Sequence, residues 1–450
     1  MIHPDFVLGA ATSAFQIEGG RQLGGRGDSI WDVFASEGRV PGISLPGCDH
    51  FHHWQDDLDL LADLGVSGYR FSVAWPRVIP DGDGDVNEPG VDFYRRLIEG
   101  MAERGIDPYL TLYHWDLPQA LQEKGGWASR ETVDAFARYA GIMADRLGDL
   151  VGNWITQNEP WVAAMLGHLE GVFAPGTTDW ETALTAGHHL LLSHGRALAE
   201  ISERLPGSRV GIALDCRPAA PASRSESDVA ATRHFDGYRN RWFFDPIFGK
   251  GYPDDMVAAY SDRGRLPGGL DGFVEPGDLE IISQPIDFLG LNYYTTTEVS
   301  AGSEESESGD VPPGPDPPEG YTEMGWKVDP DGLTSYLGEI HDRYRPTSVL
   351  ITENGASYST GPGPDGVIDD QARIAYLDAH VRAIGEAREQ GVPVDGYFVW
   401  SLLDNLEWTQ GYAQRFGLVW VDHETSERTP KASFHWYRDL IQSTTFTSDA

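Results

Sequence analysis

Two glutamates stand where apolar runs end. Glu159 closes the run in Trp154-Ile155-Thr156-Gln157-Asn158-Glu159-Pro160, and Glu353 closes the run in Ile351-Thr352-Glu353-Asn354-Gly355. Each follows residues suited to a buried strand, and Pro160 restricts the backbone directly after the first. Two facing carboxyl groups are the minimal machinery for cleaving an acetal: one gives a proton to the departing oxygen, the other attacks the anomeric carbon. Taken singly, either glutamate reads as a turn residue or a surface acid. Their company at other strand ends changes that reading.

The elements that must hold these groups are legible as an alternation. Short runs rich in Val, Ile, Leu, Tyr and Phe predict strands over 6–14, 68–74, 108–114, 153–157, 209–215, 286–293, 348–353 and 396–402. They do not alternate strictly with polar residues, as expected of strands covered on both faces. Patterns of helical period lie between them, over 53–64, 92–104, 130–147, 182–203, 332–344, 369–390 and 431–441. Eight strand–helix units predict an α/β fold, a single-domain (β/α)8 barrel over residues 1–445 with extended βα loops. A doubly wound open sheet is the competitor. It would carry a Gly-rich phosphate turn, and no clean GxGxxG or GxxxxGK[ST] occurs. Two stretches interrupt the rhythm: the Pro/Ser-rich 217–227, and the acidic Pro/Gly-rich insertion at about 300–321, which suits either a rim of the barrel mouth or a disordered surface loop.

Functional groups of a barrel lie at the C-terminal ends of its strands. Those positions offer Gln16 and Glu18, Arg70 and Trp75, His114-Trp115-Asp116, Asn158-Glu159, Asn292-Tyr293-Tyr294, Glu353-Asn354, and Trp400-Ser401 with Glu407-Trp408 just beyond. Amides, a histidine and tryptophans suit a sugar, which presents hydroxyls at its edge and a CH face for stacking. No carboxylate–histidine cluster has metal spacing and no GxSxG is present, so the residues point to glycoside hydrolysis without metal or cofactor. Asp49-His50-Phe51-His52-His53 reads as a helix opening with Asp49 near its N-cap, and His188, His189 and His194 as packing or surface residues of a helix.

Bulk properties narrow the partners. The 450 residues are 40% hydrophobic with 14 Trp, enough for a large core, and the formal net charge is −37. Only Lys124, Lys250, Lys327 and Lys431 are lysines, so nearly every cation is arginine. Such a surface disfavours nucleic acid and anionic membranes as partners. It fits either a salt-adapted protein or an acidic mesophilic enzyme. Cys48 and Cys216 are far apart and read as core thiols. The start lacks a basic region and an apolar run, and no stretch reaches membrane-spanning length, so a cytoplasmic location is expected. The oligomeric state is left open.

The strand-end motifs, taken in order, resemble glycoside hydrolase family 1, the β-glucosidase and β-galactosidase family. They are Phe6-Val7-Leu8-Gly9-Ala10-Ala11-Thr12-Ser13-Ala14-Phe15-Gln16-Ile17-Glu18-Gly19, Tyr69-Arg70-Phe71-Ser72, His114-Trp115-Asp116-Leu117-Pro118, Thr156-Gln157-Asn158-Glu159-Pro160, Ile351-Thr352-Glu353-Asn354-Gly355 and Trp400-Ser401-Leu402-Leu403-Asp404-Asn405-Leu406-Glu407-Trp408. The resemblance runs over nearly the whole chain. It implies Glu159 as acid/base and Glu353 as nucleophile of a retaining β-glycosidase, whose carboxyls sit about 5–5.5 Å apart. It further implies Arg70 and Tyr294 as partners of the nucleophile. Gln16, His114, Trp115, Asn158, Asn292, Glu407 and Trp408 would bind the sugar, Trp400 would be the stacking platform, and Trp326 would stand at the aglycone entrance. Glu407 implies unphosphorylated sugars, because members that cleave 6-phospho-sugars lack this acid. Leu8 and Phe15 depart from the family's usual Trp and Tyr, which touches packing in the first strand. The implied substrates are terminal β-glucosides or cello-oligosaccharides, with galactosides and fucosides as further candidates. A transglycosylase on the same site and a catalytically dead sugar-binding protein are the competing readings. The second is disfavoured by the presence of both glutamates.

Overall fold

The computed structural model describes residues 6–303, 305 and 312–445. Among them, eight parallel strands close a barrel: β1 (Val7–Ala11), β2 (Gly68–Ser72), β3 (Asp107–Tyr113), β4 (Asn153–Asn158), β5 (Arg209–Cys216), β6 (Phe288–Tyr293), β7 (Val349–Asn354) and β8 (Val394–Trp400). Each strand neighbours the next in sequence, and β8 pairs β1 to close the ring, with Val7 opposite Gly396 and Ala11 opposite Trp400. Helices form the outer layer. Polar caps start several of them: Asp179 accepts from the Thr182 N–H to open Trp180–Arg204, and Asp329 accepts from the Gly332 N–H to open Pro330–Tyr344. Gly65, at φ 77°, ends His50–Leu64 in the left-handed conformation that glycine adopts without cost.

The barrel interior is filled. Ala11, Tyr109, Ile155, Ala213, Phe288, Leu350, Phe398 and Trp400 point inward from seven of the strands and form one buried cluster. A second, larger cluster packs helices against the outside of the sheet. Both faces of each strand are therefore apolar, which is why the strand segments read as continuous hydrophobic runs.

Several expectations need correction. The first strand stops at Ala11 and a short helix, Ala14–Ile17, follows, so Gln16 lies on a helical turn. The second strand ends at Ser72, before Trp75. Between β5 and β6 the chain forms four helices, Glu226–Asp236, Trp242–Ile247, Asp254–Asp262 and Asp278–Ile282, none of them read from the sequence. All are short: three are charged with two buried residues each, and Trp242–Ile247 is buried nearly throughout, so none shows a sustained helical period. The expected loop 217–227 carries a short strand, Ala219–Pro221, paired parallel with Thr297–Val299. Asp49 occupies the N-cap position, but at φ 47° its carboxylate accepts from His52 rather than from the helix backbone. His188, His189 and His194 are all buried, and His188 bridges Asp278 and Tyr252. Cys48 and Cys216 are buried free thiols.

Part of the 300–321 insertion, residues 304 and 306–311, lies outside the described residues, as do 1–5 of the expected domain. Within the described part, Glu305 accepts from His234, Arg263 and Arg265, and Pro312 and Pro313 face the barrel mouth. No helix among the described residues is long and apolar enough to cross a membrane.

The β7–β8 junction tolerates no added atom at Gly355. A methyl group there would lie 1.8 Å from the Trp400 carbonyl oxygen, which is backbone and has no room to turn away. Gly355→Ala is expected to cost at least about 1–3 kcal/mol. A melting temperature equal to that of the parent protein would contradict this packing.

Candidate active site

Glu159 follows β4 directly and sits at φ 49°. Its N–H donates to Ala213 O of β5 at 2.8 Å, which aims the side chain over the barrel axis. Glu353 is the fifth residue of β7 and stands opposite Asn292 of β6 in the strand register. Trp115 and Trp408, at φ 78° and 49°, share the left-handed backbone of Glu159. Such a conformation costs a residue with a Cβ on the order of 1–3 kcal/mol and persists only where the surroundings hold it. Here the Trp115 indole N–H donates to Asn158 O at 2.9 Å, and the Trp408 ring packs against Trp31, Trp115 and Phe15.

The two carboxyl groups have unequal partners. Glu353 receives a hydrogen bond from Arg70 at 2.5 Å on one oxygen and from the Tyr294 hydroxyl at 2.6 Å on the other. Glu159 receives one from Asn292 Nδ2 at 2.6 Å. A polar web ties the two sides together. Arg70 also donates to Asn158 Oδ1 at 2.5 Å, Asn292 reaches the same oxygen at 3.0 Å, and Asn158 Nδ2 lies 3.3 Å from His114 Nε2. Thr352 donates to Asn292 Oδ1 at 2.6 Å, which leaves the asparagine amide nitrogen facing Glu159.

Burial raises both carboxyls above the ordinary carboxylate range, and the surroundings then separate them. Glu159 is raised well above it, first by burial, then by the charges of Glu353 and Asp215. Glu353 is also raised by burial, but Arg70 and the Tyr294 hydrogen bond pull it back. Glu159 therefore takes up a proton before Glu353 does. Glu407 is pushed up to about 8, by burial and then by Glu353. Burial and the Arg70 cation hold His114 far below its ordinary value, so its ring is neutral.

These groups line a cavity of about 760 Å³ at the C-terminal mouth of the barrel. Its floor carries Glu159, Glu353, Asn292, His114 and Glu407. The His114 ring lies nearly parallel to Trp400 and to Trp408, at 5.9 and 6.0 Å between ring centres, so flat surfaces flank the floor. Trp326 lines the cavity, packed against Tyr294 and Phe416. Three residues before Glu407, the buried Asp404 carboxylate accepts from Lys431 at 2.7 Å and Arg415 at 2.8 Å.

Thus Glu159, Glu353, Tyr294, Asn292, His114, Trp115, Trp326, Trp400, Glu407 and Trp408 line one space. Arg70 and Asn158 stand directly behind its wall. Gln16 is buried, with its amide nitrogen bonded to Asn405 Oδ1 and Leu406 O and its oxygen to Ser13. In this structure it braces the Glu407 segment. Glu18, Trp75, Asp116, Tyr293, Asn354 and Ser401, also at strand ends, do not line the cavity. Glu18 is tied to Arg77 and Tyr94, Trp75 stacks on Tyr139, and both oxygens of Asp116 are buried without a partner among the described residues.

Asp215, Cys216, Arg217 and Arg239, none of them among the strand-end motifs, also line the cavity with Glu159. Asp215 was findable, because it stands at the C-terminal end of β5, where the strand-end rule applies. Arg239 comes from a segment with no readable pattern. Leu166, Val172, Phe173 and Met324 complete the apolar entrance.

Comparison with known proteins agrees with this arrangement. The chain matches the profile of glycosyl hydrolase family 1 over residues 1–446. It is 45% identical over 440 residues to a β-glucosidase of Agrobacterium sp., covering 97% of this chain and 94% of that one. It is 43% identical over 463 residues to a bifunctional β-D-glucosidase/β-D-fucosidase of Bifidobacterium breve, covering 98% of each. The solved family 1 β-glucosidase of Thermotoga maritima superposes with a TM-score of 0.90 at 42% identity, covering 98% of both chains. With the profile spanning nearly its full length, the chain belongs to glycosyl hydrolase family 1.

Proposed function

We propose that the protein is a retaining β-glucosidase that removes terminal, unphosphorylated β-D-glucosyl residues, with β-fucosides and β-galactosides as further substrates. The observation that carries the assignment is the inequality between the two carboxyls. Glu353 is held by a cation and a phenol, whereas Glu159 has one amide partner. A carboxylate bonded to Arg70 remains an anion and can attack carbon. A buried carboxyl beside that anion keeps its proton and can give it away.

The steps follow from that inequality. Glu159 donates its proton to the glycosidic oxygen as the bond to the anomeric carbon breaks. A Glu353 oxygen closes on that carbon and forms a glycosyl ester, and the aglycone leaves as an alcohol. The ester has no charge, so the main neighbour keeping Glu159 protonated is gone and its proton affinity falls. Glu159 then takes a proton from water as the water oxygen attacks the same carbon, which expels Glu353 as a carboxylate. Two inversions leave the configuration as it began. Neutral His114 and the protonated Glu407 offer hydrogen bonds to sugar hydroxyls, and Trp400 offers a flat face. Glu407 also supports unphosphorylated sugars, because members of the family that cleave 6-phospho-sugars lack this acid. The names of the related glucosidases support hydrolysis over transfer to a sugar acceptor. Two buried thiols fit a reducing compartment such as the cytoplasm, and the net charge of −37 fits a salt-adapted surface.

Replacing Glu353 by Gly should leave a folded protein without turnover, and azide should restore cleavage with an inverted glycosyl azide as product. Full activity in that variant would overturn the assignment. In the parent enzyme, kcat/KM should fall at alkaline pH as Glu159 loses its proton, with a midpoint above the ordinary carboxylate range. A midpoint near that of a free carboxyl would count against Glu159 as the acid. Glu407→Ser should lower kcat/KM on glucosides by roughly tenfold to a hundredfold, the worth of a hydrogen bond to a polar carboxyl group. Nitrophenyl β-glycosides assayed at low and molar salt read both the sugar preference and the salt response. Activity and melting temperature that do not rise with salt would remove salt adaptation.

A further inference from the structure

Next to Glu159 stands an ion pair that the reaction as described does not use. Asp215 lies at the C-terminal end of β5, opposite Asn292 in the β5–β6 register. Asn292 is the residue that donates to Glu159, and Glu159 is itself bonded through its N–H to Ala213, two residues before Asp215 on the same face of β5. Arg239, on the turn of helix leading into Trp242–Ile247, bonds to the Asp215 carboxylate. Its guanidinium carbon lies over the Trp161 ring, 3.8 Å from the centre, and Trp161 is two residues beyond Glu159. Glu159, Asp215, Arg239 and Trp161 line the same cavity, so no layer of protein separates the pair from the acid.

We infer that Asp215 and Arg239 form a positioning pair that sets the proton affinity of Glu159, with Asp215 holding the proton on and Arg239 limiting how tightly. This rests on Glu159 being the acid of the proposed reaction. The pair acts on a group already influenced from several sides. Glu353 of β7 repels charge on Glu159, Asn292 of β6 favours it, and Cys216 and Glu407 share the cavity. Arg70 and His114 bond to Asn158, and His114, Glu170 and Arg217 line the same cavity. Arg70 is engaged by Glu353, so the cation that opposes the proton on Glu159 is Arg239.

The arrangement has a physical reason. The charge of Glu353 disappears halfway through the reaction, whereas the charge of Asp215 does not. A constant anion beside Glu159 prevents its proton affinity from collapsing in the glycosyl ester, and this leaves it basic enough to take a proton from water. Asp215 alone would be a buried anion with its own tendency to protonate, and burial does push its carboxyl up. Arg239 draws it back toward the charged form.

The test is the alkaline limb of kcat/KM on phenyl β-glucoside, whose leaving group needs the proton, beside dinitrophenyl β-glucoside, whose leaving group does not. In Asp215→Asn the anion beside Glu159 is gone while the Arg239 cation remains, so the limb should move to lower pH by about one unit or more on the phenyl substrate. The same shift should be missing on the dinitrophenyl substrate. The double variant Asp215→Asn/Arg239→Met carries neither charge, and its limb should return most of the way to that of the parent. Arg239→Met alone should move the limb upward, and it carries the test should Asp215→Asn not fold. An unmoved limb in both single variants overturns the inference, as does an equal shift on both substrates or a shift that persists in the double variant. Glu159→Ala separates this from the proposed function. If Glu159→Ala loses phenyl glucoside cleavage while both single variants leave the limb in place, only the ion-pair inference fails. If Glu159→Ala cleaves phenyl glucoside as the parent does, the catalytic assignment fails.

Discussion

Two carboxyl groups share one buried cavity, and burying both as anions is the cost that everything around them must offset. An isolated carboxylate in a medium of low dielectric loses several kcal/mol of hydration even after the protein relaxes. The site answers with unequal treatment. Arg70 and Tyr294 are given to Glu353, and Asn292 to Glu159. One group can then stay charged while the other stays neutral, and the neutral acid and charged base required for a double displacement follow from that division. The same low dielectric makes Glu407 protonate and keeps His114 neutral. The sugar would therefore meet hydrogen-bond donors and acceptors with few full charges.

Holding that division in place depends on backbone that is itself held. Glu159, Trp115 and Trp408 adopt conformations that L residues avoid, and each is secured by a hydrogen bond or ring packing from another strand end. Three residues before Glu407, Asp404 gathers Lys431 and Arg415 into a buried charged knot. Such a knot adds little net stability, but removing one member would leave an uncompensated charge in the core. The parallel barrel makes these arrangements possible, since its strands all end on one face and bring residues as distant as Gln16 and Leu406 into contact.

The outer surface obeys a different balance. Exposed pairs such as Arg138 with Asp83 and Arg146 with Glu88 stand in bulk solvent, where each is worth at most about 1 kcal/mol. They moderate the self-repulsion of a chain carrying −37 without removing it. The acid content is thus a surface property, separate from the few buried acids that do chemistry.

Much of this was legible in the residue order. The hydrophobic runs determined the eight strands, because a strand covered on both faces must be apolar throughout, and the helical patterns marked all but one of the connections between them. The strand-end motifs named Glu159, Glu353, Arg70, His114, Trp400 and Glu407, because a parallel barrel obliges such residues to share one mouth. Folding alone decided which of them reach the cavity. Glu18, Trp75 and Asp116 occupy equivalent places in the pattern yet turn into the wall, and Gln16 spends its amide on Asn405 and Leu406. The helices between β5 and β6, and with them Arg239, left no periodic trace, because their contacts are made by a few residues each. Proton affinity was the last thing to be settled. It depends on distance and burial, and neither is a property of order along a chain.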